Sequence, residues 1–207
     1  MPNSNLEKYA YGILTRNNSL REYEFFLSNI SSELSLQELI KEFLKTRKKV
    51  RLLDLGSGEG QALKELKNLF KNQIETIGMD LLNSPKENFD RFILGNILEK
   101  EFPKECDIIL GFRSLHEIGN IEKNLEKISQ ALKIGGLAFL SIRIQDSHNG
   151  VMQWIGKIIE QDLKFLQKII QQKEWKNMKI QGYTVNVKLE TAESITSGVN
   201  LILVRVQ

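Results

Sequence analysis

The stretch that decides the fold is Val50-Arg51-Leu52-Leu53-Asp54-Leu55-Gly56-Ser57-Gly58-Glu59-Gly60-Gln61-Ala62-Leu63. It opens with a mainly apolar run typical of a buried strand, continues with glycine at alternate positions, and ends in a helical pattern. Glycines permit positive φ and let a ligand approach the backbone, and the first turn of a helix supplies free N–H groups. The stretch therefore predicts a strand, a ligand-binding loop and a helix, in that order.

The chain beyond residue 50 alternates short apolar runs with helical patterns. The predicted strands are Val50–Leu55, Glu75–Met79, Phe92–Leu94, Asp107–Leu110 and Leu137–Ile144. The predicted helices are Gln61–Lys71, Pro85–Phe89, Ile121–Leu132 and approximately Val151–Met178, with Gly135-Gly136 expected to end the third of them before the fifth strand. Such alternation predicts an α/β fold, doubly wound, with a mostly parallel sheet covered by helices on both faces.

The two ends of the chain have different patterns. Tyr183–Leu189 alternates apolar and polar residues and Asn200–Val206 is apolar, and the segment between them is too short for a helical crossover. We therefore expect a C-terminal antiparallel hairpin, which gives a seven-stranded sheet. At the other end, Ser19 and Ser35 each precede a Glu by three residues and predict N-terminal helices. Residues 1–48 are interpreted as a helical extension and 49–207 as the ligand-binding domain.

Asp54 stands close before the first glycine and restricts the kind of ligand. In a dinucleotide site this loop holds a pyrophosphate, which a carboxylate at this position would repel. A ligand that carries an ammonium and a sulfonium group would be attracted to it. A capping or turn role for Asp54 is the alternative.

Asp80 ends the second predicted strand, 20 residues after Gly60. A carboxylate at this place can accept hydrogen bonds from both ribose hydroxyls of a bound nucleoside. The contact is common to NAD and to adenosyl ligands, so Asp80 indicates an adenosine without naming the ligand. A helix or turn cap before Leu81 is the alternative.

Four segments together resemble class I, Rossmann-like methyltransferases that use S-adenosylmethionine (SAM). They are the glycine stretch, Gly95-Asn96-Ile97, the run Cys106–Ile118 and Lys133–Leu140, in the order and spacing of that family. The sequence departs from the family at Asn96, where an acidic residue is usual, and at Ile134, where proline is usual. The resemblance extends over about Val50 to Ile144, and the C-terminal hairpin fits the family's last two strands.

The resemblance implies a SAM site and assigns residues to it. The methionine end of the cofactor would lie at the glycine loop, and the ribose, adenine and sulfonium would follow the ends of the next strands. The implied cofactor-binding residues are Asp54, Gly56, Ser57, Gly58, Glu59, Gly60, Asp80, Leu81, Asn96, Ile97, Phe112 and Arg113. The family's Asn/Asp-Pro-Pro-aromatic signature for amino methylation of bases is missing, since Phe112-Arg113-Ser114-Leu115 stands in its place.

Methyl transfer requires alignment of the acceptor and exclusion of water more than any particular side chain. If the acceptor must lose a proton, His116 is the first candidate base and Glu117 the second; a capping or packing role is the alternative for His116. His148 is expected in a surface loop, with contact to the substrate as the alternative, and Arg113 could hold an anionic acceptor or form a structural ion pair. No metal is expected, because no cluster of His, Cys and carboxylates shows ligand spacing.

Composition limits the remaining function classes. The 207 residues suit one sizeable domain, no apolar run is long enough to span a membrane, and the one cysteine excludes an internal disulfide. Residues 1–7 lack the pattern of a secretory signal, so we expect a cytoplasmic protein. The net charge of +3 selects no partner, and the basic cluster at residues 45–51 is interpreted as a helix end, with a nucleic-acid patch as the alternative.

The sequence thus predicts a SAM-dependent methyltransferase that acts on a small-molecule acceptor. Methylation of RNA or protein stays open, as does a non-catalytic protein of the same fold that binds SAM or a partner. A nicotinamide-dependent oxidoreductase is disfavoured by Asp54 and by the glycine spacing. Aromatic residues in the N-terminal helices make this extension a candidate lid, with simple packing against the sheet as the alternative. The oligomeric state is not predicted.

Overall fold

The structure is a computed structural model, and it describes residues 19–28, 32–81, 83–112, 120–144, 164–185, 189–191 and 194–206. Its strands are β1 (Val50–Leu55), β2 (Ile74–Asp80), β3 (Arg91–Leu94), β4 (Cys106–Phe112), β5 (Leu132–Ile144), β6 (Glu174–Trp175), β7 (Met178–Val185), β8 (Leu189–Thr191) and β9 (Ser194–Arg205). Its helices are α1 (Leu20–Ser28), α2 (Leu36–Leu44), α3 (Gln61–Phe70), α4 (Ile121–Ala131) and α5 (residues 164–172), with 3₁₀ turns at Lys71–Gln73 and Lys86–Asn88.

The sheet is mostly parallel, and its main path runs β3-β2-β1-β4-β5-β9-β7-β6, with β8 paired to β9 off this path. Strands β1 to β5 pair in parallel, and β9 pairs antiparallel with both β5 and β7. The predicted doubly wound α/β sheet with a C-terminal antiparallel hairpin is confirmed. The described path has eight strands rather than the predicted seven.

Alternation along the strands divides the core into two clusters, one on each face of the sheet. Val50 and Leu52 of β1 lie with α1, α2 and α3 in one cluster, whereas Leu53 and Leu55 lie with α4 and α5 in the other. Side chains two residues apart on a strand lie on the same face of the sheet. The side chain of Asp54 therefore lies on the same face as those of Val50 and Leu52, the face covered by α1. The sheet therefore presents this carboxyl to the N-terminal helices.

The N-terminal helices are joined to the rest of the chain by hydrogen bonds as well as by apolar contacts. The predicted capping box of α1 is present, since Ser19 N donates to Glu22 Oε2 at 2.8 Å. At α2 the Ser35 hydroxyl accepts from Glu38 N, and Glu24 of α1 accepts from Leu36 N at 2.9 Å. One helix thus caps the next.

The predicted helix Pro85–Phe89 is wrong, because only the 3₁₀ turn Lys86–Asn88 forms there. The flanking side chains are used elsewhere: Ser84 and Asn88 donate to carbonyls of the glycine loop, and Phe89 is buried in the core. A regular helix would turn these side chains away from the loop.

The boundary before the fifth strand was also predicted wrongly. Helix α4 ends at Ala131 and β5 begins at Leu132, so Gly135-Gly136 lies within the strand rather than at the helix end. The partners of β5 on β4 shift from Cys106↔Leu132 to Ile108↔Leu137, which makes the glycine pair part of a bulge. Gly135 has φ of 74°, a value that suits glycine.

The predicted long helix from Val151 to Met178 extends too far. Helix α5 ends at residue 172, and the chain then forms the hairpin of β6 and β7 around residues 176–177. Leu166 and Ile169 of α5 are buried in the core. Within the described residues, no helix is long and apolar enough to cross a membrane.

The basic cluster at residues 45–51 takes part in structural ion pairs. Arg47 pairs with the buried carboxylate of Asp107, and Arg51 Nε donates to Glu75 Oε2 at 3.0 Å. Lys45 pairs with Glu42 on α2. The cluster begins at the end of α2, as interpreted from the sequence, and its two arginines are used in ion pairs within the chain.

Candidate functional site: a glycine loop between two carboxylates

The glycine loop connects β1 to α3 in the conformation that its sequence requires. Gly56, Gly58 and Gly60 all have positive φ, at 75°, 55° and 75°, and residues with a Cβ adopt such values only with strain. Gly56 N donates to Met79 O at 2.8 Å, which fixes the start of the loop beside the end of β2. The loop then enters α3 with Gly60 as its N-cap and without a side-chain cap.

Asp54 is buried, with 1% of its surface exposed, at the end of β1. One carboxylate oxygen, Oδ2, accepts a hydrogen bond of 2.7 Å from the hydroxyl of Tyr23 on α1. The other, Oδ1, is buried without a hydrogen-bond partner among the described residues. A buried acceptor left in this way is unfavourable unless a ligand supplies the donor.

The surroundings of Asp54 disfavour its negative charge. The pKa of the Asp54 carboxyl is raised to about 7: burial is the main cause, the hydrogen bond from Tyr23 acts against it, and the charge of Asp80 adds to the rise. A cation placed beside Asp54 would stabilise the ionised carboxylate and so offset both the cost of its burial and its repulsion by Asp80. The site therefore suits a positively charged group.

Asp80 lies across the loop from Asp54, at the end of β2. Its Oδ2 accepts a hydrogen bond of 2.9 Å from Gly58 N, so the carboxylate is held against the middle of the loop. Gly95 N donates to the backbone oxygen of Asp80 at 2.8 Å, which connects the end of β3 to the same place. The structure thus brings together Asp54, the glycine loop and Asp80, as the sequence predicts.

The segment after β2 holds the loop from outside. Ser84 Oγ donates to Gly58 O, and Asn88 Nδ2 donates to Glu59 O at 2.7 Å. The ring of Phe89 packs against Gly60 and Gly78, where an added Cβ would come within 2.2 Å of ring carbons. We did not predict these roles, and the sequence gives no local signal for them, because the partners lie more than 25 residues apart in two of the contacts.

The remaining predicted cofactor residues are placed differently from one another. Ser57 is buried and its hydroxyl has no partner among the described residues, whereas Glu59 is exposed. Leu81, beside Asp80, is 55% exposed. Asn96 Oδ1 accepts from Leu98 N at 2.9 Å and so caps its own turn, and Ile97 is buried in the core.

Phe112, at the end of β4, contacts the N-terminal helices. Its ring lies 4.8 Å from that of Tyr23 in an edge-on arrangement and 5.3 Å from that of Phe26 in a stacked one. Phe112 is 3% exposed. Helix α1 therefore covers the end of β4 at the point where the resemblance places the sulfonium.

Three predicted residues of the site, Arg113, His116 and Glu117, lie outside the described residues, and so does His148. Their roles remain predictions. In the part of the chain that the structure describes, no group of three or more His, Cys, Asp and Glu side chains could hold a metal ion.

The charges and hydrogen-bond acceptors around the loop distinguish between two classes of ligand, those that bring a diphosphate to the loop and those that bring an amino group. Two carboxylates flank the loop, and one of them has a buried oxygen with no described partner. A diphosphate would bring further negative charge to these acids, whereas an amino group would supply the missing donor and offset the charge. The residues fit the amino-acid end and the ribose of SAM.

Comparison with known proteins gives the family. A family model described as a methyltransferase domain matches residues 26–183, from helix α1 to strand β7. Comparison with curated protein sequences finds no match.

Solved structures show that the fold is shared. A SAM-dependent methyltransferase from Methanosarcina mazei is 17% identical with a TM-score of 0.54, over 80% of this chain and 97% of that one. The N-methyltransferase NodS from Bradyrhizobium japonicum is 11% identical with a TM-score of 0.51, over 83% and 94%. The [4+2]-cyclase SpnF is 16% identical with a TM-score of 0.52, over 83% and 80%. By its family match over most of its length, the chain belongs to the methyltransferase domain family, and it is an enzyme whose methyl donor is S-adenosylmethionine.

Proposed function

We propose that the chain transfers a methyl group in line from SAM to a small-molecule acceptor, with Asp54, the glycine loop and Asp80 holding the donor. The observation that carries this proposal is the buried carboxyl of Asp54, whose Oδ1 has no described partner. When bound, SAM would supply a methyl carbon for attack by a nucleophile, the carbon–sulfur bond would break, and the sulfur would leave as a neutral thioether. The residues of the chain bind and orient the reactants and keep water out.

The roles of the donor-binding residues follow from their positions. Asp54 Oδ1 would accept from the amino group of the methionine end, and the backbone of the glycine loop allows this end to approach closely. Asp80 has one oxygen on Gly58 N and would accept ribose hydroxyls with the carboxylate. Leu81 and Ile97 would border the adenine, as the resemblance implies.

The proposed small acceptor is supported by the position of α1. Tyr23 and Phe26 are buried against Phe112, so a helix, rather than open solvent, lies over the end of β4. A covered site limits the size of the acceptor and excludes water. We propose the extension of residues 1–48 as this cover, with His116 and then Glu117 as the candidate base for an acceptor that must lose a proton.

A transfer experiment tests the function and the acceptor class together. The protein would be incubated with methyl-labelled SAM and, separately, with the low-molecular-mass, RNA and protein fractions of a cell extract. We expect label in a product of the low-molecular-mass fraction. Label in RNA or protein would overturn the acceptor class, and SAM binding without transfer to any fraction would contradict the proposed methyl transfer. The predicted cytoplasmic location also stays a prediction.

Asp80→Asn is expected to weaken the binding of S-adenosylhomocysteine (SAH) about tenfold or more. An amide has only one accepting atom, and the loss of hydrogen bonds to a charged group weakens binding by ~1–3 kcal/mol. The amide oxygen can still accept from Gly58 N, so the loop keeps its hydrogen bond. Calorimetric titration measures the affinity. Glu87→Gln, at an exposed position of the neighbouring 3₁₀ turn, serves as the control. Equal affinity in Asp80→Asn and wild type would remove Asp80 from the site.

A further inference from the structure

Tyr23 lies on helix α1, which precedes the sheet in sequence and is not part of the strand ends or the glycine loop. It nevertheless donates a hydrogen bond to Asp54. Its hydroxyl donates to Asp54 Oδ2 at 2.7 Å across 31 residues of sequence. The side chains of both partners are buried. Because the hydroxyl occupies Oδ2, the orientation of the carboxyl is fixed and Oδ1 is the oxygen left available.

We propose that Tyr23 is a positioning residue of the site that binds the methyl donor. Its hydroxyl holds one oxygen of Asp54, so that the other oxygen is directed to the amino group of SAM. This inference rests on the proposed function. It assigns a task in cofactor binding to α1, which the glycine loop and strand ends alone do not require. Docking of α1 and binding of the donor are then thermodynamically coupled, since each favours the same arrangement of Asp54.

The ring of Tyr23 has a separate role from its hydroxyl. The ring packs edge-on against Phe112 and belongs to the core cluster that includes α2 and α3. Tyr23→Phe keeps this ring and removes the hydroxyl alone. The variant therefore tests the hydrogen bond while it preserves the packing.

The charges around the pair determine the direction of the expected effect. The acidic neighbours of the Tyr23–Asp54 pair are Asp80 at the end of β2 and Glu22 on α1. The residues beside Asp54 in the sheet register, Gly78 of β2 and Leu110 of β4, carry no charge. Burial raises the pKa of the Tyr23 hydroxyl well above its usual value, so it remains a donor throughout the working range. The donated hydrogen bond lowers the pKa of Asp54, and its removal would raise that pKa further above about 7.

The experiment is a calorimetric titration of SAH into wild type, Tyr23→Phe and Phe26→Leu between pH 5.5 and 8.5. An amino group binds the ionised form of Asp54, so wild-type affinity should fall about tenfold per pH unit below the pKa of this carboxyl. In Tyr23→Phe the midpoint should move up by about one unit, which makes binding about fivefold weaker at pH 7 and brings it within about twofold of wild type at pH 8.5. The titration of the SAH amino group is common to all variants and cancels in their ratios.

Phe26→Leu removes a second aromatic contact with Phe112 and leaves the Tyr23 hydroxyl on Asp54, so its midpoint should equal that of wild type. A carboxyl ¹³C titration of Asp54 in wild type and Tyr23→Phe without ligand measures the pairing directly. An unchanged midpoint in Tyr23→Phe by either method would overturn the pairing of the hydroxyl with Asp54, and wild-type affinity of Tyr23→Phe at every pH would overturn the positioning role. Wild type that binds no SAH at any pH would overturn the proposed function itself.

Discussion

Asp54→Asn is expected to abolish measurable binding of SAH and, at pH 8, to unfold at a higher temperature than wild type. Both results come from the same buried carboxyl. Loss of the charge removes the partner of the amino group, and an amide in its place presents no negative charge to a cation. The same change removes a buried charge that the folded chain without a ligand tolerates poorly.

The pH dependence of this stability change has a definite sign. Burial raises the pKa of Asp54 to about 7 from 3.8, so the folded state prefers the protonated acid. The stability from this preference is complete below pH 3.8 and is lost as the pH rises through 7. The advantage of Asp54→Asn should therefore be absent near pH 4 and should grow up to pH 8.

The size of the gain has an upper bound. The difference between about 7 and 3.8 corresponds to ~4 kcal/mol at full ionisation. The new amide also needs an acceptor for its N–H₂ group, and a buried donor without one costs ~1–3 kcal/mol. We expect a net gain of about 1–2 kcal/mol at pH 8, measured by denaturant unfolding at pH 4, 6 and 8.

Asp90→Asn is the matched control, with the opposite expected sign. Burial alone would raise the pKa of Asp90, but hydrogen bonds from Thr76 and the nearby Lys67 lower it overall. Its ionised form therefore stabilises the folded chain at neutral pH, and the amide should be slightly less stable at pH 8. If Asp54→Asn lost stability at pH 8, Asp54 would not be a buried charge that destabilises the ligand-free chain. If the variant kept wild-type affinity for SAH, Asp54 would not bind the amino group.

Gly78→Ala is expected to destabilise the chain by about 3 kcal/mol, near the upper end for overpacking a core. The added Cβ would come within 2.2 Å of Phe89 Cε1 and 2.8 Å of Ser57 Oγ. Gly78 pairs with Asp54 in the sheet register, so any shift in response moves the site as well. SAH affinity should fall together with the free energy of unfolding.

A second substitution assigns the cause to the ring. Phe89→Leu by itself removes core volume, but combined with Gly78→Ala it should recover part of the loss, which gives a favourable coupling in a double-mutant cycle. Gly135→Ala is the control because an added Cβ there meets no atom within 4 Å, although its φ of +74° adds modest backbone strain. Strict additivity of Gly78→Ala and Phe89→Leu would show that Phe89 does not require the glycine.

The parts of the fold that local pattern determines were predictable. Strand β1 matches its predicted bounds because a mainly apolar run of six residues ends at a glycine, and the glycine loop follows from its own residues. The helix predicted to Met178 failed because Trp175 and Met178 have helical spacing. The chain turns there at Lys173 and Lys176, whose positive φ values the sequence does not signal.

The donor site divides in the same way. The nearness of Asp54 and Asp80 was predictable because each lies at the carboxyl end of a strand, and the carboxyl ends of neighbouring parallel strands meet at one edge of the sheet. Their roles in binding the cofactor stay a proposal. Tyr23 and Phe89 were not, because their contacts depend on how α1 and the segment after β2 pack on the sheet. Long-range packing of this kind has no signature in the local sequence.

The measurement that tests the central claim most directly is a crystal structure of the protein with bound SAH. It should show the ligand's amino group within hydrogen-bond distance of Asp54 Oδ1, its ribose hydroxyls on Asp80, and the hydroxyl of Tyr23 still on Asp54 Oδ2. A structure with SAH bound away from the glycine loop, or with its amino group pointing away from Asp54, would contradict the claim.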